Sequence, residues 1–239
     1  INCGFNYASL LKRGFFFLEN FQNKMVYSQL DCKKVFQEAY ENRYTWPENF
    51  NGFKGNCIFH ENEKKYTGAF IIGKNFQPQI QKIEEKEVVK KISTQLFEVV
   101  IHRVKKSFDE IHSKNQFNFL EKSEDGIEMQ VSGKNEGDKY RVREGNINMV
   151  FRKIHGIIIE IFVQKFFDTG NGVLSCKYSS QQLDVISHTP KTQKYEYLDN
   201  FIKIQNTDLW VLESRTINYK NNYGEDSISK YVFKNIETT

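Results

Sequence analysis

Residues 84–111 most narrow what this chain can fold into. Val89, Ile92, Leu96, Val99, Val100 and Val104 recur at helical spacing, and Phe108 and Ile111 continue the stripe with some drift. Glu84 and Glu85 stand at its start and Lys105, Lys106 and His112 near its end, the order a helix dipole favours. The spacing predicts one amphipathic helix of roughly 40 Å. Nearly everything after it alternates in the manner of strands. One long helix among many strands predicts an α+β fold. Its expected form is a curved antiparallel β-sheet, a half-barrel, wrapped around that helix, with a shorter N-terminal helix.

The shorter helix is expected from about Gln29 to Arg43. Val35, Phe36, Ala39 and Tyr40 share one face, Ser28-x-x-Asp31 reads as a capping box, and Trp46-Pro47 ends the segment. Two strands, Gly52–His60 and Lys64–Gly73, read as a hairpin, and Phe76–Ile83 as an edge strand because of Pro78. After the helix come strands at Gln116–Lys122, Ile127–Gly133, Lys139–Glu144 and Asn146–His155. Gly156–Phe167 is the most apolar and is expected to be covered on both faces. Four more follow at Val173–Ile186, Gln193–Gln205, Leu209–Lys220 and Ser227–Ile236. Short connections between them predict an antiparallel meander.

A chain of 239 residues can bury a substantial core. Its hydrophobic fraction is only 39%, but 21 Phe and 12 Tyr supply apolar volume. The net charge of +4 is spread among alternating Lys and Glu, with no concentrated basic face, so nucleic acid is not an expected partner. No apolar run is long enough for a transmembrane segment. Cys3, Cys32, Cys57 and Cys176 are scattered, which predicts neither a disulfide framework nor a zinc site and suits a reducing compartment. Residues 1–24 read as a leader, upstream translation or a flexible arm, and residues 25–239 as a single α+β domain.

No catalytic constellation, metal site or cofactor motif stands out. Asp168-Thr169-Gly170 has the aspartic-protease triplet, but that chemistry needs a second facing carboxylate, and Asp-Thr-Gly-Asn-Gly reads as a turn. Arg103 is the most informative polar residue. It lies within the apolar stripe, with Ser107 one turn on, and a guanidinium aimed inward needs acceptors. It would either anchor a carboxylate or phosphate, or pair with a strand carboxylate such as Glu160 or Glu213. His102 is beside it, and His155 ends a strand. Tyr44 and Trp46 form an aromatic group at a helix end.

Four stretches carry a family resemblance. They are Ala39-Tyr40-Glu41-Asn42-Arg43-Tyr44-Thr45-Trp46, His102-Arg103 followed by Phe108, Ile154-His155-Gly156, and Asp168-Thr169-Gly170-x-Gly172-x-Leu174-Ser175. Together they resemble a domain family of unknown function from cyanobacteria and chloroplasts (DUF3386-like), over about Ser28 to Ile236. The resemblance implies a soluble protein of the cyanobacterial cytoplasm or chloroplast stroma, and it supplies no activity or site. The expected topology is also similar to lipoprotein-carrier (LolA-like) half-barrels, although fold does not fix function.

The expected function is non-enzymatic binding of an apolar or amphiphilic ligand, lipid or pigment-like, in a cavity between sheet and helix. Arg103 and Ser107 would supply the interior anchor, with His102, His155, Trp46 and Tyr44 near the mouth. One rival is an assembly or interaction protein of photosynthetic cells with a solid core and a protein partner. Another is an enzyme using His102, His155 and a carboxylate. An open, lined cavity favours the binder, and a filled interior favours the interaction protein.

Overall fold

The computed structural model describes residues 31–221 and 223–239. The expected arm at 1–24, a start at Met25 and the Ser28 cap lie outside the described residues. Helix α1 spans Cys32–Glu41. Asp31 is its N-cap and accepts a hydrogen bond from the Lys34 N–H at 3.0 Å. Phe36, Ala39 and Tyr40 form its buried face, as the spacing requires. The helix ends well before Trp46-Pro47. Beyond Asn42 the backbone turns extended and pairs with Val173 through Tyr44 N–H and Asn42 C=O.

Strands β1 (Phe53–Glu61), β2 (Lys64–Ile72) and β3 (Pro78–Gln81) form a meander that runs outward to one edge of the sheet. Helices α2 (Lys86–Val100) and α3 (Phe108–His112) then carry the chain to the opposite edge. From there β4 (Asn115–Ser123), β5 (Gly126–Gly133), β6 (Lys139–Arg143), β7 (Asn146–Ile154) and β8 (Ile157–Asp168) return strand by strand. They continue through β9 (Val173–Asp184), β10 (Tyr195–Lys203), β11 (Trp210–Lys220) and β12 (Asp226–Thr238), and β12 pairs with β1. The result is one twelve-stranded antiparallel sheet in the order β3-β2-β1-β12-β11-β10-β9-β8-β7-β6-β5-β4.

The expected α+β half-barrel around one long helix is overturned. The three described helices have 10, 15 and 5 residues, and no single long helix is wrapped by the sheet. The apolar stripe of residues 84–111 is broken at 101–107 for a backbone reason. In a continuous helix the Arg103 C=O would accept from Ser107 N–H. Here it accepts from Trp46 N–H at 2.7 Å. Ser107 N–H instead donates to the Glu110 carboxylate at 2.7 Å, while Ser107 Oγ accepts from Glu110 N–H at 3.2 Å. This reciprocal capping box starts α3 as a new helix. Val104, counted into the helical stripe, forms a bridge with Trp46.

The helices share one face of the sheet and bury two separate cores. Val88, Ile92, Leu96, Val99 and Val100 of α2 pack with Phe59, Phe70, Leu212, Ile217, Tyr231 and Phe233, over β1, β2 and β11–β12. Phe36, Ala39 and Tyr40 of α1 and Phe108 of α3 pack with Met129, Val131, Tyr140 and Val142, over β5 and β6. Strand β8 runs between these two regions. Its outer-face residue Ile158 is fully buried, opposite Leu183. The 185–194 loop folds back there: Pro190 bridges to Leu183, and His188 meets the Phe151 ring edge-on at 5.8 Å. From Ile157 to Val163 only Ile158 is fully buried and the others are half-buried on both faces, so the coverage expected from composition is partial on each.

Candidate functional site

Strand alternation fixes which β8 residues face the helices. Val150 is opposite both Tyr140 and Ile161, and Tyr140 belongs to the α1–α3 core, so Ile161 shares the inner face. Ile157, Ile159 and Val163 follow by the period of two. All four are half-buried and none belongs to either core. Arg152 of β7 and Tyr178, Ser180 and Gln182 of β9 flank them on the same face. The inner face therefore carries an aliphatic strip that the two helical groups leave partly open.

The break between α2 and α3 carries two of the sequence-selected polar residues, His102 and Arg103. His102 is exposed, with protein atoms crowding its ring. This desolvation, and then the fields of Arg103, Arg43, Arg152 and Arg215, push its pKa down to about 4, so the imidazole is neutral at pH 7. The Arg103 guanidinium lies 5.9 Å from the Phe201 ring centroid. Its Nη1 donates to the His102 C=O at 3.3 Å, and its buried Nε has no hydrogen-bond partner among the described residues. Desolvation lowers its pKa to about 10, so it remains a cation. It makes no ion pair with Glu160, Glu213 or any other described carboxylate within 4.0 Å.

The charges of Arg43 and Arg152 also act on His102, although each side chain is held elsewhere. Arg43 stacks on Tyr40, with its guanidinium carbon 3.6 Å from the ring centroid, and donates to the Tyr40 C=O at 2.8 Å. Arg152 is tied to the buried Asp138 carboxylate at 3.3 Å.

The other sequence-selected residues go elsewhere. Trp46 is buried, donates its Nε1–H to the Trp210 C=O at 2.9 Å, and packs on Phe50 and Phe53. The Tyr44 hydroxyl is buried and accepts from Trp210 N–H at 2.8 Å. Ser107 is the N-cap of α3. His155 occupies the tight β7–β8 turn with φ +49, exposed, at the end of the sheet away from Trp210. Of the six, His102 and Arg103 are neighbours at the α2–α3 break, and Trp46 meets Arg103 through its backbone N–H. The Asp168-Thr169-Gly170 triplet closes a turn: Gly170 N–H donates to Asp168, and Thr169 Oγ1 donates to the Gly172 C=O.

Arg215 is the inward guanidinium that the sequence reasoning missed. Nη1 donates to Gln95 and Glu98 of α2 at 2.9 and 3.3 Å, and Nη2 donates to the Tyr178 hydroxyl at 2.7 Å. Its remaining bonds go to Asp199. The Tyr178 and Tyr197 rings stack beneath it, 4.7 Å apart and 5° from parallel. One signal was available, since Arg215 alternates with Ile217 on an inward-facing strand pattern. All five donors are occupied, so this network fastens α2 to the sheet and leaves nothing for a ligand.

Two surface recesses lie beside the Trp46 segment. One of about 460 Å³ sits between Pro47–Gly52, Asp208–Leu209 and Thr238–Thr239. The other, about 150 Å³, is lined by Trp46, Pro47, Phe76, Val104 and Lys105. Neither reaches His155 or the β8 strip. Among the described residues no three His, Cys, Asp or Glu side chains converge as a metal site. No described helix is long and apolar enough to cross a membrane.

Residues 27–239 match the family described as protein of unknown function (DUF3386), and the chain belongs to that family. No curated protein matches it. Among solved structures, the chain is similar to a LolA superfamily protein from Nitrosomonas europaea. The identity is 9%, coverage is 88% of this chain and 94% of that one, and the TM-score is 0.30. It is also similar to a DUF1329 family protein from Desulfovibrio piger, with 9% identity, 87% and 93% coverage and a TM-score of 0.28. A chain of the Pseudomonas aeruginosa MucA/MucB complex has 8% identity, 87% and 99% coverage and a TM-score of 0.24. Likeness at this level assigns no function to the chain.

Proposed function

We propose that this member of the DUF3386 family is a non-enzymatic binder of an apolar or amphiphilic molecule, which lies along the inner face of β8. One observation carries this reading. Ile157, Ile159, Ile161 and Val163 form an aliphatic strip outside both cores, flanked on the same face by the polar groups of Arg152, Tyr178, Ser180 and Gln182. Aliphatic surface beside convergent polar groups is the usual make-up of a small-molecule site. The proposal is narrower than a cavity between sheet and helix, because the space beneath α2 and beneath α1 is filled by side chains. A reducing compartment, expected from the scattered cysteines, is part of the same proposal.

Titration with a fluorescent fatty-acid probe tests it. Wild-type protein is expected to bind with about one site per chain. Ile161→Glu puts a charge on the strip at a half-buried position, and should weaken binding at least tenfold with an unchanged far-UV spectrum. Equal binding by this variant, or none by the wild type, overturns the reading.

The filled interior also favours the second reading, a protein partner. Leu198 and Ile228 support it, being 45% and 57% exposed on the outer face. Converting both to Lys would abolish a protein complex and leave probe binding intact.

A further inference from the structure

We infer that the ligand of the β8 strip carries an uncharged hydrogen-bonding group, a hydroxyl or an amide, and that this group docks on β9 at Ser180 and Gln182. The inference rests on the binding reading above and adds the chemical class of the ligand. Strand register sets direct neighbours about 5 Å apart across a sheet. On the inner face, Ile157 is opposite Ile154 and Asp184, and Ile159 is opposite Arg152 and Gln182. Ile161 is opposite Val150 and Ser180, and Ser180 is opposite Tyr195. Val163 is opposite Tyr178, which is opposite Tyr197. Arg152 and Asp184 are the charged residues of these rows, and each has its counter-charge in the protein. Arg152 Nε is 3.3 Å from the buried Asp138 carboxylate, and Asp184 is 3.2 Å from Lys191 Nζ. A charged head group would lose water here without meeting an unpaired opposite charge.

The polar groups left for a ligand are neutral. The Tyr178 hydroxyl is taken by Arg215 at 2.7 Å. The backbone of Gln182 is fixed, because its N–H donates to Thr192 Oγ1 at 3.0 Å and its C=O accepts from Lys191 N–H at 2.8 Å. Its side-chain amide is exposed and makes no hydrogen bond to a described residue. The same holds for the Ser180 hydroxyl, which is half-buried between Ile161 and Tyr195 in its row. Beside it the Tyr195 hydroxyl accepts from Gln193 Nε2 at 3.2 Å and keeps its own proton to donate. Hydroxyls and carboxamides both donate and accept, which matches a hydroxyl or amide on the ligand. Ser180 and Gln182 are two apart on one strand, so their side chains stand together on the face that Ile159 and Ile161 share. This order sets the polar group of the ligand on β9 and its chain along β8.

Displacement of the fluorescent fatty-acid probe, which chain burial alone can hold, from the full chain tests the inference. The competitors are decanol, decanamide, decanoate, decyltrimethylammonium and 1-chlorodecane, each below its solubility or micelle limit. Decanol or decanamide should compete about tenfold better than either charged amphiphile. The better of the two identifies the group. Ser180→Ala and Gln182→Leu should each weaken decanol about fivefold, the worth of one hydrogen bond, and leave 1-chlorodecane within about twofold. That contrast separates hydrogen bonding from the general preference of an apolar surface for uncharged molecules. Gln182→Lys places a cation at an exposed position and should strengthen decanoate about tenfold. Thermal unfolding of the variants checks that the fold survives. If decanoate matches decanol in wild type, or if decanol falls no more than 1-chlorodecane in the Ser180 and Gln182 variants, the head-group inference fails while the binding reading stands. If neither the probe nor any competitor binds, both fail.

Discussion

Arg215 on β11 grips Asp199 on β10 through two bonds, Nε to Oδ1 at 2.8 Å and Nη2 to Oδ2 at 2.7 Å, and both side chains are 2% exposed. Its Nη1 reaches across to Gln95 and Glu98, so one guanidinium joins two strands and the second helix. Removing one partner would strand the other charge in a dry interior. Asp199→Asn or Arg215→Met should each cost roughly 3–5 kcal/mol of stability. The double replacement Arg215→Met with Asp199→Leu should cost less than the sum of the single changes. Equilibrium urea unfolding measures all three, and additive losses would show that the pair is not coupled.

Acid should destabilise the protein through His112. This side chain is 5% exposed among Phe36, Tyr40 and Phe108, and its Nδ1 accepts from the Asn115 amide at 3.0 Å. Burial, then the fields of Arg152, Arg43 and Lys134, push its pKa down to about 4 from the ordinary 6.5. Between those values the unfolded chain binds a proton that the folded chain does not. The contribution is therefore complete above about pH 6.5, and falls by roughly 3 kcal/mol as pH drops toward 4. Unfolding curves at pH 7.5 and 4.5 should show this loss in the wild type, and a smaller one in His112→Phe.

A proline pair separates a broken helix from a continuous one. Lys106 precedes the α3 cap, outside either helix, and no backbone bond from its N–H is present among those described. Lys106→Pro should change stability by less than about 1 kcal/mol, whereas Lys90→Pro, in the exposed interior of α2, should cost about 3 kcal/mol or more. Similar losses at both sites in thermal unfolding would mean that the two helices run together.

Gly52 is a backbone requirement. Its φ is +117, and a Cβ there would stand 1.9 Å from the Ile72 C=O oxygen. Gly52→Ala should cost about 2–3 kcal/mol, from the strained φ and the displaced β1–β2 pairing. Gly145 has φ +70 and open space around its Cβ position. Gly145→Ala should cost only about 1 kcal/mol, the penalty of the left-handed conformation. Denaturant midpoints of the two variants give the comparison.

Much of the strand pattern was legible because alternation is a local signal. The β1–β2 hairpin, the edge position of β3 at Pro78 and the meander from β4 to β12 all lie where period-two runs and turn residues put them. The buried face of α1 was legible for the same reason. The break in the second helix was half legible. Ser107-Phe108-Asp109-Glu110 is a capping-box sequence inside the apolar stripe, but the stripe dominated the reading. The other half of the cause is Trp46, which takes the Arg103 carbonyl from 57 residues away, and no window of sequence contains both.

The site divides along the same line. Residue type singled out Arg103 and His102 as polar groups in an apolar setting, and the fold sets both at the break between α2 and α3. Trp46, Tyr44 and Ser107 drew notice by type, yet hydrogen bonding consumes all three in structure. Arg152 and the inward row of β8 could not be named from the chain. Which face of β8 stays open depends on where three helices land across twelve strands. By itself the sequence determined the strands, their turns, the amphipathic faces and the absence of a strong catalytic motif, because each depends on neighbours a few residues apart. Only the tertiary structure decided that the helices form two separate caps with β8 between them, and that Arg215, not Arg103, is the fully paired interior cation. Those outcomes follow from backbone and side-chain partners that meet only after residues more than 50 positions apart have packed together.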